Sequence, residues 1–176
     1  MILLLLAGWL IADFLSGVVH WFEDQFITSS TPLLGALVGA PNELHHTDPQ
    51  AFLASSFFDR NWTTWLAVAP ISLAWLAAFG FSWVWLAATL GGALANETHA
   101  WAHKTDRPAW ISALQETGIF QRPAQHSRHH RGSMTTHYCT LSGWLNPWLE
   151  LIRFWYWLER GLALIGIRPV SKQETV

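Results

Sequence analysis

No charged residue stands between Asn61 and Asn96. As a single helix that stretch would be ~54 Å long at 1.5 Å per residue, well beyond the ~30 Å hydrocarbon core of a bilayer. Two passes of about 18 residues each match that thickness. The stretch is therefore read as a membrane hairpin, with legs at 62–79 and 82–103 and its turn at Phe79-Gly80-Phe81. Pro70 lies in the first leg, where neighbouring helices or water can satisfy the carbonyl that a proline leaves free.

The N-terminal stretch, Met1 to Val19, carries one charge, Asp13, and predicts a further span over residues 1–22. No basic region precedes it and no clear small-residue cleavage site follows, which sets it apart from a cleaved signal peptide. Composition agrees. With 51% apolar and 12% charged residues, the charge is too sparse to cover a soluble surface. The 13 tryptophans suit the headgroup level, where indole can keep an apolar body and a polar N–H both satisfied.

Beyond Asn146-Pro147 the chain predicts a helix over 147–167 that places Glu150, Arg153 and Arg160 on one face. An interfacial helix is expected there, a short fourth crossing being the alternative. The whole reads as one domain, 1–176, of an all-α integral membrane protein with about three spanning helices plus interfacial helices. If the first helix runs inward, all ten lysines and arginines fall on the inner side, as the positive-inside rule expects. All nine histidines collect at that same face, so a His-rich metal site at the cytoplasmic face is expected. No targeting extension precedes the first helix, which favours a bacterial inner membrane.

Several function classes are disfavoured. A net charge of −2 without a basic stripe argues against nucleic acid. Cys139 is the only cysteine, so neither an intrachain disulfide nor a thiolate-held iron-sulfur cluster is expected. No glycine-rich dinucleotide fingerprint occurs, so electrons for redox chemistry would come from a separate donor.

The histidines fall into groups: His20; His45 and His46; His99 and His103; and His126, His129 and His130 in a His-rich segment over 122–139, with His137 beyond. His99 and His103 are four apart on one helix face and can serve one metal or two neighbouring ones. Ala100 replaces the glutamate of an HExxH zinc protease. Imidazoles near a membrane are costly to bury without a partner. Their type leaves zinc, copper and iron open, but eight or nine exceed the three of a catalytic zinc, whereas two irons with about four ligands each would consume eight. Asp24 and Asn96, beside His20 and His99, are candidates for an outer role on those imidazoles or a catalytic one, direct ligation being the alternative. Asp13, Glu43 and His137 are candidates for an outer role or an extra ligand, with Asp13 expected to hold an imidazole tautomer.

The motifs Asp13-x-x-Ser16-Gly17-x-x-His20-Trp21-x-x-Asp24, Glu43-x-His45-His46-x-Asp48-Pro49, Asn96-x-x-His99-x-x-x-His103 and His126-x-x-His129-His130, followed by Tyr138-Cys139 and Gly143-Trp144-Leu145-Asn146, resemble the Kua family of lipid desaturases. That family includes plasmanylethanolamine desaturases and a plastid desaturase acting on phosphatidylglycerol. The resemblance implies a di-iron centre on His20, His45, His46, His99, His103, His126, His129 and His130. It also implies O2 as co-substrate, electrons from a cytochrome b5 or ferredoxin-type donor, and a membrane phospholipid as substrate. The implied reaction is conversion of an alkyl ether to a vinyl ether, with acyl-chain desaturation or hydroxylation as alternatives, in an apolar slot for which Trp21, Phe22 and Trp101 are lining candidates, though packing or interface anchoring accounts for most such aromatics. A non-enzymatic membrane metal carrier or sensor is the rival from another class. Ser133 and Met134 stand where the family commonly has Pro-His.

Overall fold

A computed structural model describes residues 1–131 and 134–170, and the described residues form helices and connecting loops without a sheet. Three long helices make the frame: α1, Ile2–Phe26; α4, Phe57–Phe79; and α5, Trp83–His103. Shorter ones surround their ends: α2, Ala40–Thr47; α3, Pro49–Ala54; α6, Ala109–Thr117; and α7, Pro123–His129. The chain finishes with α8, Asn146–Leu151, and α9, Phe154–Leu164.

Small residues set the frame. Gly8 and Ala12 of α1 face Ala87 and Gly91 of α5, and a Cβ on Gly91 would fall 2.7 Å from that of Ala12. Helices approach this closely only where side chains are nearly absent, which is how apolar helices associate in lipid. Between α4 and α5 the chain reverses at Gly80, whose φ of 72° is readily adopted only by glycine. Pro70 sits inside α4 without ending it.

Helices α1 and α4 are long and apolar enough to cross a membrane. Only 6% of the apolar window of α4 is buried within the protein, so Leu66, Ile71, Leu73 and Phe79 face outward. An apolar helix displayed this way suits lipid rather than water. The polar end of α5, with Asn96, Glu97, His99 and His103, lowers the apolar character of that helix.

The tail departs from the expected single helix. Arg153 has φ 54°, a left-handed conformation that interrupts the helical ladder, so α8 and α9 are separate and Glu150 shares no continuous face with Arg160. Trp21, Tyr138, Cys139, Leu149 and Trp155 form a buried core where α1, the 138–146 loop and the tail meet.

At the base of the hairpin, buried Arg60 of α4 pairs with buried Glu97 of α5 at 3.1 Å. Asn61 Nδ2 donates to the same carboxylate at 3.1 Å. This lock lies two residues before His99.

Candidate metal centre

Two ligand sets converge at one end of the frame. Each potential ligand atom lies within 4.8 Å of the others in its set. One set is His45, His99, His103, His126 and His130; the other is His20, Asp24, His46 and His129. Helical geometry explains the division. Successive residues on a helix point about 100° apart, so the doublet His45-His46 and the doublet His129-His130 each serve both sets. Residues four apart point together, which unites His99 with His103, His126 with His130, and His20 with Asp24.

The first set cannot be satisfied by hydrogen bonds alone. His126 Nε2 lies 2.9 Å from His99 Nε2, 2.7 Å from His103 Nε2 and 2.9 Å from His130 Nε2. A ring nitrogen carries one proton or one lone pair, so three such contacts to one atom exceed its capacity. A cation resolves this. Two nitrogens at about 2.1 Å from a common ion and at right angles lie about 3 Å apart.

Electrostatics favour neutral, metal-ready rings. Burial holds the His45 imidazole below its usual range, and the neighbouring His103 and His130 add to the effect. Burial also places His126 well below it, reinforced by His103 and His129. His130 is lowered to about 4, first by burial and then by His129. Neutral imidazole is the form that binds a metal.

In the second set, Asp24 is the hub. Its Oδ1 lies 3.2 Å from His46 Nε2, and its Oδ2 lies 3.2 Å from His129 Nε2 and 3.8 Å from His20 Nε2. Asn42 Nδ2 donates to Oδ1 at 2.8 Å. Two imidazoles have their far nitrogens fixed by backbone: His20 Nδ1 lies 3.0 Å from the Tyr138 carbonyl and His129 Nδ1 lies 2.8 Å from the Thr136 carbonyl. Each carbonyl assigns the proton to Nδ1 and leaves Nε2 as a lone-pair donor. Both Nε2 atoms are buried without a hydrogen-bond partner. Such orphans, beside a carboxylate, fit a bound cation. Imidazoles with one carboxylate are compatible with iron.

Other candidate residues lie elsewhere. Asp13 holds no imidazole. It accepts from Leu141 N at 3.2 Å, from Ser142 N at 2.8 Å and from Ser142 Oγ at 2.6 Å. A buried carboxylate in the middle of an apolar helix is here satisfied by two loop amides and a hydroxyl. Ser16 Oγ accepts from Thr140 N at 3.1 Å. Gly17 leaves room for Cys139, whose Sγ would sit 2.7 Å from an added Cβ. The Asp13-x-x-Ser16-Gly17 motif thus docks the 139–142 segment and so positions the carbonyl that orients His20.

Asn96 donates to the Arg60 carbonyl, tying α5 to α4 outside both sets. Glu43 is exposed and accepts from Ser29 N at 3.0 Å. The ring of His137 belongs to neither set, and its backbone N–H donates to Glu150 at 2.7 Å. Of the Ser133-Met134 pair, Ser133 lies outside the described residues. Of the aromatic candidates for a slot, Trp21 is buried in the core and donates to Glu159 at 3.0 Å, whereas Phe22 is exposed. Trp101 packs on Phe120 and Trp110. Arg60, Glu97, Asn42 and the two carbonyls carried no distinguishing pattern in the sequence; a backbone carbonyl has no residue-type signature.

A cavity of about 330 Å³ opens onto His46, His103, His126 and His130, with Ala102 and Pro123 also in its wall. It touches members of both sets, so a small molecule entering there meets them together.

The lipid desaturase domain matches residues 9–172. The chain belongs to the lipid desaturase family. It is thereby an enzyme, an oxidoreductase of a family whose substrates are lipids. It is 30% identical to a probable fatty acid desaturase of Acanthamoeba polyphaga mimivirus, over 94% of this chain and 84% of that protein. The plasmanylethanolamine desaturase of Myxococcus xanthus is 31% identical over 88% of this chain, which spans 58% of that relative's length. Plasmanylethanolamine desaturase 1 of Mus musculus is 32% identical over 96% of this chain and 67% of its own. No solved structure matches.

Proposed function

We propose that this lipid desaturase converts the alkyl ether chain of a membrane phospholipid to a vinyl ether, using O2 and a pair of irons. Convergence of the two ligand sets carries the reading. His45, His99, His103, His126 and His130 would hold one iron, and His20, Asp24, His46 and His129 the other. When bound, the irons supply the oxygen activation needed to attack an unactivated C–H bond. In the balanced reaction a –CH2–CH2– unit loses two hydrogens. O2 takes them up with two electrons from a cytochrome b5 or ferredoxin-type donor and two protons, and leaves as two waters.

The chain's own residues prepare this chemistry. Tyr138 and Thr136 fix the tautomers of His20 and His129 through their carbonyls. Asp24 brings the one negative charge among the ligand atoms, which favours a higher-valent metal over a neutral donor set. Asn42 keeps that carboxylate oriented. The 330 Å³ cavity sets which atoms come near, and position is what distinguishes one methylene from the next. The sets lie on the cytoplasmic side of a bacterial inner membrane, with α1, α4 and α5 crossing it. The bias of Lys and Arg toward that side supports this orientation.

The names of the bacterial and mouse relatives favour an ether chain, and that of the viral relative favours an acyl chain as the second reading. Lipid mass spectrometry decides between them. The chain is expressed in a host free of vinyl ethers and fed alkylglycerol, beside a His99→Ala control. Acid-labile vinyl ether lipids are expected with the wild type alone. Their absence, with alkyl phospholipid, iron-loaded protein and electron donor all demonstrated, overturns the ether reading; a new acyl double bond in the same extract establishes the second.

A further inference from the structure

Phe52 of α3 stands against the ligand rings although it has no atom to give a metal. Its ring centroid lies 5.0 Å from that of His45 and 5.4 Å from that of His99, both members of the first set. We propose that Phe52 is a positioning residue: its ring is the apolar wall against which a lipid chain packs, and it fixes which pair of adjacent carbons reaches the ligand sets. The proposal rests on the reading of this centre as the one that oxidises a lipid chain.

Among the described residues, two rings other than histidine pack on ligand imidazoles, Phe52 on the first set and Tyr138 on the second. Tyr138 is fully buried, and its hydroxyl accepts from Gln25 Nε2 at 2.9 Å. It belongs to the core. Phe52 is half-buried and has no polar atom to satisfy, so it can meet both the imidazoles and an incoming apolar group. Pro49, three residues earlier and hence on the same side of α3, borders the cavity of about 330 Å³ together with His46, His103, His126 and His130. One side of α3 therefore faces both the first ligand set and the space beside it.

A six-residue helix is too short to hold its place alone, and α3 is tied at both ends. At its start the Asp48 carboxylate accepts from Gln50 N at 3.0 Å and from Ala51 N at 3.4 Å. At its end the carbonyls of Leu53 and Ser55 accept from Arg60 Nη1. Carbonyls in a last helical turn lack helical partners, and a cationic side chain suits them. The same Arg60 pairs with Glu97, two residues before His99. One buried ion pair thus ties the helix that carries Phe52 to the turn that carries His99.

The position of α3 also links the metals to the lipid-facing surface. Only Ser55 and Ser56 separate it from α4, which opens with the exposed Phe57 and Phe58 and continues into the outward face of Leu66, Ile71 and Leu73. Its last carbonyls rest on the first turn of α4, and its Phe52 rests on His45 and His99. A chain entering between the foot of α4 and the ligand sets has Phe52 as its apolar neighbour. Successive methylenes are chemically alike, so packing geometry is what selects among them. One methylene more or less against an apolar wall is worth about 10–200-fold in discrimination.

Contact can be read without turnover. The full chain, loaded with zinc so that the metal is diamagnetic, carries para-fluorophenylalanine either in place of Phe52 or in place of Phe79, which is exposed at the hairpin turn. In detergent micelles it receives one equivalent of a phospholipid bearing a nitroxide on its chain near the ether or ester bond. The fluorine resonance at position 52 is expected to broaden well beyond that at position 79. Equal broadening at the two sites, or none at 52, overturns the proposal.

Register is read on the iron-loaded enzyme, as the position of the new double bond determined by mass spectrometry. Wild type is expected to give one positional isomer. Phe52→Ala should lower the ratio of that isomer to its neighbours by about tenfold or more. Phe52→Leu, which keeps most of the apolar volume and the fold, should lower it by less. An unchanged ratio in both variants overturns the proposal. So does activity that falls only in step with iron content, because a ring that merely supports His45 and His99 would lose metal without moving the double bond. A wild-type enzyme that leaves every lipid chain unoxidised refutes the underlying reading instead, and the fluorine measurement still decides whether Phe52 meets the chain.

Discussion

His20 and Tyr138 lie 118 residues apart in sequence, and the Nδ1 of the first lies 3.0 Å from the carbonyl of the second. That carbonyl is fixed because Asp13, one helix turn before Gly17, accepts three hydrogen bonds from Leu141 and Ser142. Asp13→Ala leaves buried donors unsatisfied at roughly 1–3 kcal/mol apiece. We expect a lower melting temperature together with a loss of about 10–100-fold in metal affinity, the range for removing an outer support of a ligand. Calorimetry and metal titration of the variant check both.

Gly17 and Cys139 form a contact with no slack. Gly17→Ala should destabilise by about 1–3 kcal/mol through overpacking. Since the nearest atom is Sγ, Cys139→Ala should relieve part of that cost. A double-mutant cycle with a coupling below about 0.5 kcal/mol would show that the two sites act independently.

The grouping of ligands predicts metal counts. Elemental analysis of the purified, iron-loaded chain should find two irons per chain. Asp24→Ala removes the hub of one set and His126→Ala the hub of the other, so each should retain about one iron on the ligand counts typical of such sites. Two irons retained in Asp24→Ala would mean that the carboxylate is not a ligand.

Arg60 and Glu97 should behave as a buried pair. Arg60→Met strands the Glu97 carboxylate, at a cost of about 3–5 kcal/mol, and should loosen the His99 end of α5. Combining it with Glu97→Leu should recover most of the stability, because both charges are then gone. Denaturant melts of the single and double variants test this.

Acid should destabilise the metal-free protein. Burial lowers His130 to about 4 from the ordinary 6.5, so between those values the unfolded chain binds more protons than the folded one. Stability then falls as pH drops from 6.5 toward 4. His45 and His126 are shifted in the same direction. Chelator-treated protein should melt at a lower temperature at pH 5 than at pH 7, and an unchanged midpoint would contradict the burial of these rings.

Hydropathy and spacing by themselves determined that this is an all-helical membrane protein and that the uncharged run reverses near Gly80. They also gathered the histidines at one face; the selection of eight of them as ligands came from the resemblance to the Kua family, and spacing alone puts Asp24 beside His20 without making it a ligand. A spanning helix is selected by transfer of its own side chains to lipid, and rings four apart share a face whatever lies around them, so both are properties of the local chain. Only the tertiary structure decided that His45 parts from His46 and His129 from His130 between the two sets, because that depends on how α2 and α7 are turned against α1 and α5. It also moved Asp13 from an imidazole to the 141–142 amides and Asn96 to the Arg60 carbonyl. A buried polar group takes whichever partner folding brings within hydrogen-bond distance, and across 128 residues no spacing rule carries that information.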